Sequence, residues 1–492
     1  MDIDKITNKV KENDPKADTD LIVSAYHFGK KAHEGQYRKT GEPYFDHSLH
    51  TAYTLAQIKA DPTTVAAGLL HDVPEDTSVT LKKIKEEFGE EVAHLVRGIT
   101  KLGKVRYRGE ERYVRNLKKM FLAMANDLRV ILIKFADRLH NLETLYVQPQ
   151  HKQQRIAQEV LEIYVPIAWL LGVWELKWQM EDWCFKYLYP EEYKNIKHTF
   201  ENKEVPKIKD HIQETKKILK KELQQANINY ECKEFYKHFY SIYRKTQDQQ
   251  LDIEDIHDTF SIIIITDSVP ECYRILGTIH SLWRPKDDLF KDFIALPKPN
   301  GYRSIHTTVF GPRRGLTEFQ IKTRRMYEES LYGISAYWHH QRFSEDGEKA
   351  GPPKWVQEIS EVQKNAQNNY DFVDQIKYSV LKDRILVFTP KGDIIRLVKD
   401  ASPIDFAYHI HTDVGNKAHE AVVNSQKVPF DTKLKNGDSV EIITKKSKKY
   451  PNPKWLKFIK THKAQTKIKE NLPESTLKKF KNFLTPKKDK AE

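Results

Sequence analysis

Cysteine is scarce in this sequence. The three cysteines, Cys184, Cys232 and Cys272, lie far apart and form no CxxC pair. This spacing argues against a disulfide framework and against a cysteine zinc site, and it is typical of proteins in a reducing compartment. We therefore expect a cytoplasmic protein.

Long apolar runs are also absent. The longest, Tyr164 to Trp174, is interrupted by Pro166 and Gly172, and it is far shorter than the roughly 20 residues that a membrane helix needs. The N-terminal segment is polar and charged, without the apolar core of a signal peptide or the pattern of a transit peptide. We expect no membrane partner.

What is present is an ordinary soluble composition with an uneven positive charge. A chain of 492 residues is too long for one core, which predicts several domains. The formal net charge is +13, and from Lys445 to the end sixteen lysines stand against four acidic residues. Such a basic tail is usually only solvated, but the interleaved Trp455 and Phe458 also fit contact with RNA phosphates.

The hydrophobic pattern divides the chain. From about Leu21 to Phe200, apolar residues recur at three- and four-residue spacing, which predicts successive amphipathic helices. Thr80 is predicted to cap one of these helices and Gly89 to end it. After a helical connector near Lys207 to Gln225, the stretches TFSIIIIT, TTVFG and TEFQIKT predict strands between helices, which indicates an α/β unit.

The last part of the pattern is β-rich. FSEDGEKAGPPK predicts a linker, RILVFTPKGDIIRLV predicts two strands joined by a Lys-Gly-Asp turn, and DSVEIITKK predicts a later strand. The fold class is therefore multidomain: all-α, then mixed α/β, then a small β module. The predicted boundaries are 1–195 and 196–342 for the first two domains, 343–383 for a linker with a helix, 384–446 for the β module and 447–492 for the basic tail.

The motif HDVPED, His71 to Asp76, suggests a metal site. His47 precedes it and Asp137 follows it, each on its own predicted helix. The set His47, His71, Asp72 and Asp137 offers mixed nitrogen and oxygen ligands, which suit Mn²⁺ or a similar metal and leave positions for water. Pro74 is predicted to end the helix and to leave Glu75 and Asp76 on a turn, where they would move protons.

Each residue of this set also has a plainer interpretation. His71 alone is more often a satisfied core histidine, and Asp137 with Arg138 could be a helical ion pair. His50 shares a helix face with His47 and could compete as a ligand. The joint pattern favours the metal site, because chance rarely supplies all four ligands together with a Glu-Asp pair.

The surroundings of the motif carry a family resemblance. GQYRKTGEPYFDH, HDVPEDT and KFADRLHNLETL resemble the hydrolase signatures of the RelA/SpoT family, which makes and destroys the alarmone (p)ppGpp. The resemblance implies an HD-type hydrolase, with the four ligands on Mn²⁺, that removes the 3′-pyrophosphate of (p)ppGpp. It also implies that Arg38 packs on the guanine, that Lys39 helps to hold phosphate, and that Asn141 and Thr144 line the nucleotide pocket.

The α/β region resembles the synthetase of the same family, which transfers a pyrophosphate from ATP to GDP or GTP. The match is strong at FKDFIALPKPNGYRSIHTTVFG and TEFQIKT. The resemblance implies a Tyr302 platform for guanine beside Lys298 and Asn300, Mg²⁺ on Asp258 and Glu318, and Gln320 close by. The other residues of this predicted site are Lys237, His238, Ser241, Lys245 and Lys291.

Several departures from the family pattern fall on the ATP side of that site. Glu234 and Phe235 stand where the family has Gly-Arg, and Ile263 and Leu289 stand where it has arginines. In the family, two of these arginines sandwich the adenine and one lies near the phosphates. Further departures are Leu331 and Tyr337, at positions of an acidic residue and a histidine. The resemblance therefore implies a degenerate synthetase domain.

The third module resembles the family's TGS domain, a small β-grasp fold, and His411 matches the histidine of its IHT motif. That domain inspects tRNA in long family members, so tRNA or a protein is the expected partner of this module and the basic tail. The family's ribosome-anchoring parts do not follow, so ribosome-dependent control is not expected. The sequence thus favours a (p)ppGpp hydrolase. Its rivals are a bifunctional enzyme with a remodelled ATP site and a non-catalytic regulator.

Overall fold

The computed structural model describes residues 1–103, 127–336 and 384–472, apart from residues 251, 253–255, 257–258, 288, 299, 313–314, 436 and 446–449. The chain forms two compact units, Met1–Gly351 and Pro352–Glu492. Asp258, Tyr337 and the predicted linker 343–383 lie outside the described residues. Within the described ranges, no helix is long and apolar enough to cross a membrane.

The first unit begins with helices, as predicted. Two single π-helical turns, Val160–Tyr164 and Phe200–Glu204, and a 3₁₀ turn, Leu145–Val147, join some of them. The α-helices are α1 Ile3–Asn13, α2 Asp20–Ala32, α3 Phe45–Gln57, α4 Pro62–Leu70, α5 Val73–Asp76, α6 Leu81–Gly103, α7 Arg129–Glu143, α8 Gln150–Glu159, α9 Val165–Leu170, α10 Trp174–Leu188, α11 Pro190–Thr199 and α12 Val205–Gln225.

Local sequence explains where the helices near the motif begin and end. The side chain of Asp61 caps α4 by accepting from the backbone N–H of Thr64 at 3.0 Å, and α4 is buried from Thr64 onward. Thr80 caps α6 in the same way through the N–H of Lys83 at 3.3 Å. Gly89 interrupts α6 with a φ of +83°, which glycine adopts without strain. The predictions for Thr80 and Gly89 are confirmed.

The second part of the first unit is built on a five-stranded mixed sheet in the order β1-β2-β5-β4-β3. The central pair β2 and β5 is parallel, and the other pairs are antiparallel. Every residue of β2 is buried. The elements are β1 Glu231–Tyr236, α13 Phe239–Gln249, β2 Phe260–Thr266, α14 Val269–Leu282, β3 Lys291–Asp292, β4 Ile305–Phe310, β5 Leu316–Thr323 and α15 Arg324–Tyr332.

The helical and the α/β parts of this unit share buried hydrogen bonds. Asp182 on α10 accepts from the N–H groups of Phe239 and Tyr240 at 3.2 and 2.8 Å, which caps the start of α13. The N–H of Ile334 donates to the carbonyl of Leu171 at 3.0 Å. Residues 1–351 are therefore one compact unit, and the boundary at 195/196 stays a prediction.

The second unit contains the predicted β-rich module. A hairpin of β6 and β7 and a three-stranded sheet in the order β10-β8-β9 are linked by a hydrogen bond from the N–H of Phe388 to Asp438 O at 2.8 Å. The elements are β6 Arg384–Phe388, β7 Ile394–Val398, α16 Pro403–Ile410, α17 Thr412–Lys417, β8 Ala418–Val423, β9 Gln426–Val428, β10 Val440–Thr444, a 3₁₀ turn Pro453–Lys457 and α18 His462–Asn471.

The first part of the predicted basic tail packs on this module. Trp455 is 4% exposed and belongs to one apolar cluster with Ile404 and Tyr408 of α16. The buried carboxylate of Asp405 accepts from the backbone N–H groups of Lys460 and Thr461 at 2.9 and 2.7 Å. Trp455 is therefore a core residue, and it does not support the RNA-binding interpretation of the tail.

Candidate active site

Four residues of the first unit converge on one point. His47 lies on α3, Asp137 lies on α7, and His71 and Asp72 directly follow α4. Nε2 of His47 lies 3.3 Å from Oδ1 of Asp137 and 3.7 Å from Oδ2 of Asp72. Nε2 of His71 lies 3.2 Å from Oδ1 of Asp72. One ligand atom each of His47, His71 and Asp137 fall within 4.8 Å of one another, which fits one cation held by nitrogen and oxygen.

The environment of His71 tests whether a metal ion fits this group. Nδ1 of His71 lies 2.8 Å from the carbonyl oxygen of Gly68, so this nitrogen carries the proton and donates it. Nε2 is then the lone-pair nitrogen; it is buried and has no hydrogen-bond partner. Histidine ligands usually donate their second nitrogen to a carbonyl or carboxylate in this way. The buried nitrogen without a partner is what a metal ion would satisfy, so the residues fit a divalent metal.

Asp137 is the most enclosed carboxylate of the group. Its Oδ2 pairs with Nζ of Lys134 at 2.6 Å, and its Oδ1 accepts from Nδ2 of Asn141. Burial on its own favours the protonated acid, but the charge of Lys134 opposes it, and the pKa of Asp137 lies well below its usual range. The carboxylate therefore stays ionised, as a metal ligand must. The guanidinium carbon of the neighbouring Arg138 lies over Tyr164, 5.3 Å from the centre of its ring.

Lys134→Met is expected to destabilise the metal-free protein by about 3–5 kcal/mol, because it leaves the buried charge of Asp137 without its partner. Added Mn²⁺ should restore part of the loss by supplying positive charge. Lys83→Met is the matched control, since its pair with Glu87 is also 2.6 Å long but lies at the surface, where a pair contributes about 0–1 kcal/mol. Denaturant unfolding measures both variants, and equal losses would contradict the role given to Lys134.

The turn after Asp72 differs from the prediction. Helix α4 already ends at Leu70, and Pro74 lies in the first turn of α5 instead of ending a helix. Proline is tolerated there because its missing N–H has no helical partner in a first turn. Glu75 and Asp76 therefore lie on a helical turn that begins at the metal group.

Glu75 and Asp76 lie at the accessible rim of the group. Partial burial raises the pKa of Glu75; the charge of Lys134 opposes this shift, and that of Asp72 supports it. A carboxyl group whose pKa is raised towards neutrality is suited to proton transfer. The two carboxylates thus lie beside the metal group, and their role in proton transfer stays a prediction.

Tyr44 is a site residue that the sequence analysis missed. Its hydroxyl lies 2.7 Å from Oδ2 of Asp76 and 3.4 Å from Oδ2 of Asp72. Burial and the charge of Asp72 raise the pKa of Tyr44, so the phenol stays protonated and donates. The ring stacks on His33 with centroids 5.0 Å apart. Its position between Arg38 and His47 in the first motif was the available signal.

Arg38 and Asn141, two of the predicted nucleotide residues, lie beside the metal group. Arg38 donates to Oδ1 of Asn141 at 2.7 Å, and its guanidinium lies 6.0 Å from the ring centre of Tyr44. The loop that carries Arg38 closes through Gly41, whose φ of +86° allows its N–H to reach the carbonyl of Arg38 at 3.0 Å. Lys39 is exposed. Thr144 follows α7 and donates to the carbonyl of His140 at 3.0 Å.

The residues predicted for the guanine side of the synthetase-like site lie close together. The hydroxyl of Tyr302 lies 2.7 Å from Nε2 of His306 and 3.3 Å from Oε1 of Gln320. Two lysine Nζ atoms lie near the centre of its ring, Lys298 at 5.1 Å and Lys322 at 4.9 Å. Lys322 was not predicted, and burial lowers its pKa to about 7. The aromatic ring and the lysines form a platform suited to a polar base.

Asn300 holds the platform loop in place. Its Nδ2 donates to the carbonyl of Trp169 at 3.0 Å, and its Oδ1 accepts from the N–H of Tyr302 at 3.2 Å. Glu318 on β5 accepts from the hydroxyl of Ser261 and lies 3.0 Å from Nδ1 of His306. Asp258, its predicted Mg²⁺ partner, lies outside the described residues. The remaining predicted residues lie next to or on α13 and β3: Lys237, Ser241, Lys245 and Lys291.

The residues on the predicted ATP side of the synthetase-like site have different contacts. Both ring nitrogens of His238 face carboxylates of α10, Nδ1 at 3.0 Å from Asp182 and Nε2 at 3.3 Å from Glu181. The ring of Phe235 packs on that of Trp174, with the ring centres 6.4 Å apart. Glu234 pairs with Lys216 at 3.0 Å. Phe235 thus places an aromatic ring where the family pattern has an arginine, and Glu234 places a carboxylate where it has a glycine.

Three family models match successive parts of the chain. The model described as "HD domain" matches residues 25–174, "Region found in RelA / SpoT proteins" matches residues 235–345, and "TGS domain" matches residues 385–444. These regions have the predicted order, and they confirm the predicted fold class. An HD domain implies a divalent metal, consistent with the geometry around His71.

Curated relatives match most of the chain. It is 44% identical over 460 residues to a guanosine-3′,5′-bis(diphosphate) 3′-pyrophosphohydrolase of Aquifex aeolicus, covering 93% of this chain and 65% of the relative. It is 42% identical over 468 residues to a GTP pyrophosphokinase of Myxococcus xanthus, covering 94% and 61%. It is 39% identical over 454 residues to the bifunctional (p)ppGpp synthase/hydrolase SpoT of Escherichia coli, covering 92% and 64%.

The chain thus spans between 61% and 65% of the length of these relatives. Their names include a hydrolase, a kinase and a bifunctional enzyme, so the names alone do not decide which activity this chain has. The three consecutive domain matches and the identities along almost the whole chain do decide its ancestry. The chain belongs to the RelA/SpoT family.

Proposed function

We propose that this chain is a Mn²⁺-dependent (p)ppGpp 3′-pyrophosphohydrolase that releases pyrophosphate and GDP or GTP. The observation that carries the proposal is the buried, partnerless Nε2 of His71, which lies 3.2 Å from Asp72 within the same group as His47 and Asp137. Arg38 and Asn141, bonded to each other at 2.7 Å, stand beside this group as the nucleotide-binding pair.

The residues divide the reaction between them. His47, His71, Asp72 and Asp137 would hold the metal, which supplies Lewis acidity and screens phosphate charge when it is bound. Arg38 would place its planar guanidinium against the guanine. The water oxygen adds to the phosphorus attached to O3′, and the bond between that phosphorus and O3′ breaks. Glu75 and Asp76 take the proton from the water and return one to the O3′ leaving group.

The hydrolase proposal is tested with the purified chain, ppGpp and Mn²⁺. We expect stoichiometric release of GDP and pyrophosphate, loss of turnover when EDTA removes the metal, and recovery when Mn²⁺ is returned. Zn²⁺ and Mg²⁺ in parallel reactions test the choice of metal, since the ligand set suits a borderline ion. Failure to release pyrophosphate with any of these metals would refute the hydrolase.

We further propose that the synthetase-like region makes no appreciable (p)ppGpp. The support is Phe235, which packs on Trp174 at a position where the family has an arginine, together with Ile263 and Leu289, which replace two further arginines. A stacking or charge-assisted contact contributes about 1–3 kcal/mol, so losing several would weaken ATP binding strongly. The region would still offer the Tyr302 platform to GDP or GTP, with Mg²⁺ possible at Glu318.

Synthesis is best measured in Asp72→Asn, because a working hydrolase would destroy the product. With ATP, Mg²⁺ and GDP or GTP, we expect no (p)ppGpp above background, whereas an active family synthetase run in parallel forms it readily. Robust formation would establish the alternative, a bifunctional enzyme with a remodelled ATP site. In the TGS module, His411 is exposed at the start of α17. The proposed partner of this module is tRNA or a protein.

A further inference from the structure

A second group of potential ligands touches the first. His50, His140 and Glu143 each offer an atom within 4.8 Å of the others, and the rings of His50 and His140 stack with centroids 4.4 Å apart. His140 also reaches the first group, because its Nδ1 lies 2.7 Å from Nδ1 of His47. The question is whether this group binds a metal of its own.

The contacts of His140 argue against a second metal. Its Nδ1 lies 3.2 Å from Nη1 of Arg38, and a guanidinium can only donate. Nδ1 of His140 is therefore the accepting nitrogen, and in the neutral ring the hydrogen is on Nε2. A protonated Nε2 cannot ligate a metal, and the lone pair of Nδ1 already accepts from Arg38, so His140 offers no free nitrogen to the group with His50 and Glu143.

The same contact determines the protonation of His47. Two lone pairs cannot form the 2.7 Å contact between the Nδ1 atoms, and Nδ1 of His140 already accepts. The hydrogen of the 2.7 Å contact is therefore on Nδ1 of His47, and the longer 3.2 Å contact from Arg38 shares the same lone pair of His140. Nε2 of His47, the atom 3.3 Å from Asp137, is then free to present its lone pair to a metal.

We infer that Arg38 and His140 act as positioning residues for the metal ligand His47. Arg38 holds His140 in its accepting tautomer, and His140 in turn holds His47 in the tautomer that ligates. This inference rests on the proposed function, because it assumes a metal in the first group. It gives Arg38, assigned only to the nucleotide, a second task in the protein without nucleotide.

The test is Mn²⁺ binding to the metal-free chain, measured by calorimetry without nucleotide. Coulomb's law alone predicts that Arg38→Ala binds Mn²⁺ more tightly, because a nearby positive charge is gone. The positioning role predicts the opposite, a loss of about tenfold or more, as for other residues that orient metal ligands. Lys39→Ala is the matched control: it removes the neighbouring charge without touching His140 and should bind no more weakly than wild type.

Variants of His140 test the residue that links Arg38 to His47. His140→Asn keeps an acceptor near the Nδ1 position and should retain most of the affinity, whereas His140→Phe should lose it. In the His140→Phe background, Arg38→Ala should cause no further loss, because the two act through one contact. If His140→Phe does not fold, the comparison of Arg38→Ala with Lys39→Ala still tests the positioning role of Arg38.

The outcomes separate the two proposals. If wild type binds Mn²⁺, Asp72→Asn abolishes binding and Arg38→Ala weakens it, both proposals are supported. If Asp72→Asn abolishes binding but Arg38→Ala binds as tightly as wild type or more tightly, the positioning role is refuted and the metal site stands. If wild type binds no Mn²⁺, the proposed metal site and the positioning role fall together.

Discussion

Asp72→Asn is expected to abolish metal-dependent release of pyrophosphate from ppGpp. Asp72 lies between the two histidines, with one oxygen 3.2 Å from His71 and the other 3.7 Å from His47. Asparagine has the same shape but no negative charge, so its neutral amide oxygen binds a divalent ion more weakly than the carboxylate does. Without the bound metal, the reaction loses the acidified water and the charge screening on phosphate, so turnover should fall to the level seen in EDTA.

The measurement is the steady-state rate of pyrophosphate release over a range of Mn²⁺ concentrations. Asp20→Asn is a suitable control, since Asp20 is an exposed carboxylate at the start of α2 and takes no part in the metal group. It should leave the rate unchanged. Full Mn²⁺-dependent activity in Asp72→Asn would show that the metal assignment is wrong.

Glu75→Gln is expected to lower kcat by about 10²–10⁴-fold, the usual contribution of a general acid or base. Glutamine keeps the size of Glu75 but cannot take up or release a proton. Because Glu75 lies at the rim and is not among the residues grouped around the metal, Mn²⁺ affinity and KM should change little. Loss of kcat with unchanged metal binding separates proton transfer from metal binding.

The control for this second variant is Glu86→Gln, which removes an exposed carboxylate of α6 whose ion pair with Lys82 is 3.9 Å long. Pyrophosphate release measured at saturating Mn²⁺ gives kcat and KM for all three proteins. A Glu75→Gln enzyme with wild-type kcat would remove Glu75 from the mechanism and leave Asp76 as the only proton carrier.

The residues that carry distinctive chemistry were the predictable ones. His47, His71, Asp72 and Asp137 could be selected because histidine and aspartate stand out on otherwise apolar helices, and the structure does bring them together. Lys134 and His140 could not be selected. In the sequence, Lys134 resembles an ordinary surface lysine. His47, whose Nδ1 lies 2.7 Å from Nδ1 of His140, is 93 positions earlier in the chain. Only the packing of α3 against α7 makes that contact.

The same difference applies to the fold. Features set by neighbouring residues were predictable from the sequence, and features set by distant contacts were not. The buried strand Phe260–Thr266 was predictable because a run of isoleucines is typical of a central strand. The end of α4 and the role of Pro74 were not, because proline serves equally well to end one helix and to begin the next. Trp455 was assigned to a tail because its lysine-rich neighbours conceal the apolar cluster that it joins with α16.

The contacts between the two parts of the first unit bear on how the chain folds during synthesis. When helix α10 leaves the ribosome, the carbonyls of Trp169 and Leu171 still lack Asn300 and Ile334, their later hydrogen-bond donors. Asp182 still lacks the N–H groups of α13. The carbonyls of Trp169 and Leu171 therefore gain these donors only after more than a hundred further residues have been made. A synthetase-like region without catalytic activity of its own would still be needed to complete the hydrogen bonds of the helical part.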